Sequence, residues 1–153
     1  MPGHMLSAVI AYQVLRQESA QSIEKVRTVL EKHPWYANQC QSRLQDVPVA
    51  DHGLVLFMQA TRWPDDIRFR DKQNHRGPWH YINWLFKPEG QPAGVQTGEA
   101  DTVNILTALA ENESVVRNEN DGERRAIALA WLFHLVGGCR LSASWQEMKR
   151  KVL

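Results

Sequence analysis

Cysteine is scarce in this chain. Cys40 and Cys139 are the only two in 153 residues, far apart and with no CxxC pair, so neither a disulfide framework nor a zinc-thiolate site is readable. They read as two unpaired buried thiols. Long apolar runs are missing as well. None approaches the ~20 residues that a membrane-spanning helix requires, so no membrane partner is expected. The start has no charged segment followed by an apolar one, and the sequence as it stands shows no export signal. Charge of one sign is not in excess either, the formal net charge being +1. Composition therefore carries no electrostatic footprint of a nucleic-acid partner, although a partner held through metal ions would need none. Repeats, low-complexity tracts and an internal domain boundary are absent. What remains is one domain, long enough to bury a core.

Hydrophobic residues make up 43% and charged residues 23%, ordinary for a globular protein. Six tryptophans and six histidines are less ordinary in a chain this short. Several cluster between Trp63 and Trp84, beside Asp65 and His80. Helical periodicity dominates the rest. Met5, Val9, Tyr12 and Leu15 predict a helix from about Met5 to Gln17. Ser22 is the expected cap of a second helix, with Ile23, Val26, Val29 and Leu30 on its face and a stop before Pro34. Leu54 to Ala60 is a short apolar stretch whose lack of alternation favours helix. Gly77-Pro78, Lys87-Pro88, Gly90 and Pro92 punctuate a long irregular segment from Arg68 to Gly98. Its Trp79–Phe86 core is too apolar for disorder, which points to function. Thr102 is expected to begin another helix, and Asp121 to cap the next, from Gly122 to Val136. Between Ala126 and Val136 that helix has one polar residue, His134, so it belongs in the domain centre, ended by Gly137-Gly138. The tail from Cys139 is basic near its end and only weakly periodic. The fold class expected is all-α.

The residues that could carry chemistry each have two readings. His134 suits a core histidine satisfied by one hydrogen bond, or a zinc ligand through neutral imidazole. The position one turn on, Gly138, offers it no partner side chain. Trp63-Pro64-Asp65-Asp66-Ile67-Arg68 reads as a helix start, or as a hard oxygen ligand (Asp65) followed one turn later by a phosphate contact (Arg68). His80, in an irregular segment, is freer to meet a metal than to fill a core, while His75 and Arg76 read as solvated surface. His4 precedes an amphipathic helix that would hold it in place.

Gly3-His4-Met5, Trp63 to Arg68, Trp79-His80-Tyr81-Ile82-Asn83, and Leu132-Phe133-His134-Leu135-Val136-Gly137 occur together and in order. In this the chain resembles the zinc-dependent single-strand nucleases of the mung-bean-nuclease type over residues 2 to about 137. Those nucleases are related in fold to the zinc-dependent phospholipases C. The resemblance implies a helical domain with three zinc ions in a cleft, cutting single-stranded DNA and RNA and removing 3′-phosphates. Asp65, His80 and His134 would bind one buried zinc. His4 would bind a second, together with the amino group of an N-terminal tryptophan. Asp65 and Arg68 would be catalytic, Arg68 lying against the scissile phosphate. Tyr81 would stack on a base and Asn83 would touch its edge. The substrate would be single-stranded nucleic acid or nucleotides, the protein a monomer, and its place secreted or periplasmic.

The resemblance also has gaps. The family's leading tryptophan is missing, because the chain begins Met1-Pro2. After the histidine the family continues Gly-Asp-x-His-Gln-Pro-Leu-His, whereas here Gly137-Gly138-Cys139-Arg140-Leu141-Ser142-Ala143-Ser144 follows. Gly138 thus replaces the bridging aspartate, and Ser144 stands where a ligand histidine belongs. The expected fold is incomplete at both ends. Residues 138–153 form a divergent tail, attributed to a frame shift or truncation and expected to be mobile. At most one or two zinc ions and impaired nuclease activity are the expectation. A non-catalytic remnant holding one zinc is the first alternative. A phospholipase C-like esterase is the second, disfavoured by the Trp-His-Tyr-Ile-Asn loop.

Overall fold

The apolar run that ends in His134 organises the molecule. The computed structural model describes residues 2–68, 70–83, 89–90, 94, 98 and 100–139, and all regular structure among them is helical. In order come α1 (Pro2–Glu18), α2 (Ala20–Leu30), α3 (Ser42–Leu44), α4 (His52–Ile67), α5 (Ile105–Asn118) and α6 (Gly122–Cys139). α6 packs against α1, α2, α4 and α5, so the helix that is apolar nearly all round is indeed central. Ala126, Ala130, Trp131, His134 and Leu135 on it are all buried. Small alanines let neighbouring helices approach, and Trp131 fills the centre with its ring 4.9 Å from Trp79 and 6.3 Å from Trp63. A second cluster, Ala8, Ile23 and Phe57, joins α1, α2 and α4.

Several boundaries differ from the sequence expectation, each for a local reason. α2 begins at Ala20, and Ser22 is not its cap; the Ser22 and Ser19 hydroxyls pair with each other at 2.8 Å. α5 begins three residues after Thr102. There Asn104 accepts from the Leu106 and Thr107 amides while the Thr107 hydroxyl accepts from Asn104, a reciprocal box stronger than any cap at Thr102. Asp121 does cap α6, accepting from Glu123 N at 2.8 Å.

Two larger differences shape the site. The short Leu54–Ala60 stretch belongs to the 16-residue α4, which runs through Pro64, so the Trp63–Arg68 motif ends a helix rather than starting one. Pro64 removes a hydrogen bond to the turn before it, and Thr61 bonds back to Met58 O at 2.9 Å; both effects bend helices. α6, in turn, continues through Gly137 and Gly138 to Cys139. A Cβ on Gly137 would stand 2.6 Å from Ser7 Oγ, so this glycine serves the close approach of α1 rather than a helix stop. The Arg68–Gly98 segment contains two short 3₁₀ turns, Lys72–Asn74 and Gly77–His80. Trp79 and Ile82 pack onto the main core, as expected of the aromatic loop; Trp84 to Phe86 and the tail beyond Cys139 lie outside the described residues. No helix of the described residues is long and apolar enough to cross a membrane.

Candidate metal centre

Four elements converge at one end of α6. His4 comes from the first turn of α1, Asp65 from the last turn of α4, His134 from α6, and His80 from the end of the Gly77–His80 turn. Each is placed by packing already described. α1 is drawn close by Gly137, α4 carries Asp65 directly after Pro64, and the Trp79–Trp131 contact holds the aromatic turn over α6.

His134 sits at the centre and is buried, 1% exposed. Its Nδ1 lies 2.9 Å from the Thr61 carbonyl oxygen. A carbonyl only accepts, so Nδ1 donates and Nε2 carries the lone pair in the neutral ring. Burial is the main cause that pushes His134 down to about 4, the nearby His4 adding to it, so the ring is neutral at physiological pH. Around Nε2 stand His80 Nδ1 at 3.3 Å and Asp65 Oδ1 at 3.9 Å. Asp65 Oδ2 is 3.9 Å from His4 Nε2 and is buried without a hydrogen-bond partner. The His4 and His134 rings stack, centroids 4.0 Å apart. Burial also lowers His4 and His80, partly opposed in each case by Asp65.

These distances suit shared ligation better than direct bonding. A separation of 3.9 Å is too long for a hydrogen bond. Ligand atoms about 2.0–2.1 Å from one tetrahedral zinc stand ~3.3 Å from each other, a modest contraction away. One ligand atom each from His4, Asp65 and His134 lies within 4.8 Å of the others. The donor set of imidazole nitrogens and a carboxylate oxygen fits a zinc site, and a buried carboxylate oxygen without a partner is a group that a cation would satisfy. The His134–Thr61 bond is the kind that fixes a ligand histidine's tautomer. His4, Asp65, His80 and His134 are thus gathered at one place, close enough to serve one ion or two neighbouring ones.

The other site candidates are exposed. Arg68 is exposed at the end of α4, one turn beyond Asp65. Tyr81 is 50% exposed beside His80, and its backbone is pinned by Ile105 N donating to Tyr81 O at 3.0 Å. Asn83 is exposed two residues on. His75 and Arg76 are exposed, Arg76 with its guanidinium over the Trp79 ring. At Gly138, a Cβ would stand 3.2 Å from His4 Cε1, so that position faces the cluster without contributing a ligand. Thr61, which orients His134, carried no signal in the sequence, because its backbone carbonyl acts rather than its side chain.

Comparison with curated proteins and with solved structures gives no match. Comparison with protein families matches S1/P1 Nuclease over residues 1–139, which takes in every helix described above. A match over so much of the chain, with an all-helical fold, decides the matter: the chain belongs to the S1/P1 nuclease family of nuclease-type hydrolases.

Proposed function

We propose that this chain is built as a zinc-dependent endonuclease for single-stranded DNA or RNA, and for 3′-phosphates, with its activity impaired by the loss of ligand positions. The observation that carries the reading is the gathering of His4, Asp65, His80 and His134 around a buried carboxylate oxygen that has no partner. Zinc bound there would polarise a phosphoryl oxygen and lower the pKa of water. The chain's own residues do the rest. The Thr61 carbonyl holds the His134 lone pair toward the site. Asp65 offers an oxygen to each neighbouring histidine. Arg68 supplies a guanidinium for the phosphate at the entrance. The half-exposed Tyr81 ring offers a face to an unpaired base, which a duplex does not present, and Asn83 offers a polar contact at its edge. By family, the protein acts as a secreted or periplasmic enzyme.

A second reading, a scaffold that binds one zinc without turnover, is favoured by Gly138. It faces His4 where the resemblance expects a bridging carboxylate. Cleavage of a labelled single-stranded oligonucleotide in added zinc separates the two. The nuclease reading expects slow, zinc-dependent cleavage that rises at least tenfold in Gly138→Asp and disappears in His134→Ala. No cleavage by either the parent or Gly138→Asp would favour the scaffold, and rapid cleavage by the parent would contradict the impairment.

A further inference from the structure

On the face of α4 next to Asp65 lies a polar hollow of about 440 Å³, within the ~300–1,000 Å³ of ordinary ligand pockets. One wall is Arg62 and Asp66, a turn apart on α4, with Arg70 just past the helix end. The other wall is Trp35, Asn38 and Arg43, carried by the π-helical turn Tyr36–Gln41 and its flanks. Such turns recur at functional sites because they widen a helix locally. Arg62 Nε bonds Asp66 Oδ1 at 3.0 Å, so the carboxylate is engaged within the wall. Arg43 and Arg70 form no ion pair among the described residues. Three guanidiniums against one carboxylate leave the hollow cationic in a chain whose net charge is only +1.

We propose that this hollow is a binding subsite for a backbone phosphate of single-stranded nucleic acid, Arg43 and Arg70 gripping the oxygens while the Trp35 indole offers a face to the attached base. Guanidinium forks match phosphate oxygens in pairs, and the one carboxylate in the hollow, Asp66, is already bonded to Arg62. Asp65 and Asp66 are consecutive, so the hollow and the metal cluster occupy neighbouring faces of one helical turn. A helix with its side chains is ~10–12 Å across, which a short oligonucleotide spans easily. The identity of the polyanion rests on the nuclease reading; the grip itself does not require the metal.

The test is fluorescence anisotropy of a labelled oligothymidylate in EDTA, across a salt series. Arg43 and Arg70 are both exposed, so Arg43→Glu/Arg70→Glu leaves the core intact. That double variant should bind at least tenfold more weakly. Its log–log salt slope should be shallower by about 1.4, two phosphate contacts at ~0.7 each on a single strand. Arg16→Glu/Lys25→Glu makes the same change in net charge on α1 and α2 and should stay within twofold of the parent. Equal losses in the two double variants, no loss in the first, or no binding by the parent would overturn the proposal. Zinc calorimetry keeps the metal reading separate, because the Arg43/Arg70 variant should bind zinc like the parent. A failure at the metal cluster would appear there and leave the anisotropy result standing.

Discussion

Histidines decide this molecule's behaviour one residue at a time, and the least visible of them is His33. It is buried, its Nδ1 accepts from Trp35 N at 3.1 Å, and burial alone pushes it down to about 4. A histidine held neutral in the fold binds a proton more readily when unfolded. Its contribution is present above the ordinary value near 6.5 and lost as pH falls from there toward 4. Acid should therefore weaken the metal-free protein across that window, by roughly a few kcal/mol in all. His33→Asn keeps an acceptor for Trp35 and removes the titration, so it should make the acid limb of a stability–pH curve, measured by urea unfolding, shallower; an unchanged limb would show that folding does not shift the His33 pKa. Nothing in the sequence distinguishes His33 from the exposed His75, because the difference lies in what folds over it. Gly137 makes a similar point about space. Gly137→Ala should destabilise by about 1–3 kcal/mol through the clash with Ser7, measurable in the same assay.

At the scale of elements, periodicity revealed α1, α2, α5 and α6 to within a few residues, because each buries one stripe or, for α6, nearly its whole surface. α4 was only half legible. Its apolar stretch is short, and Pro64 is a strong stop signal that tertiary packing of Trp63 and Ile67 overrides. The π-helical turn, and with it the arginine-lined hollow, had no periodic signature at all. The central place of α6 yields a direct prediction. Trp131→Ala removes a ring in contact with Trp63, Trp79, His80 and His134, and should cost about 3–5 kcal/mol in chemical denaturation. A neutral result would mean that α6 does not organise the core.

For the whole molecule, the candidate ligands were readable because chemistry-bearing side chains keep their identity wherever the chain places them. The distances between them were not, since these depend on the α1–α6 approach and on where α4 ends. The same packing leaves an apolar groove of about 1,010 Å³ between α1, α5 and α6, with Leu6, Ile10, Val14 and Val136 exposed along it. Apolar surface of that extent should bind a hydrophobic dye while the protein is folded. Dye fluorescence that appears only on denaturation would show the groove to be closed in solution. The metal cluster is the feature on which the functional reading depends, and titration calorimetry of zinc into the purified chain addresses it directly. Weak binding of one zinc per chain is expected, weakened at least tenfold further in His134→Ala, with the circular-dichroism spectrum of the variant still helical. A folded His134→Ala variant that binds zinc as well as the parent would contradict the metal centre.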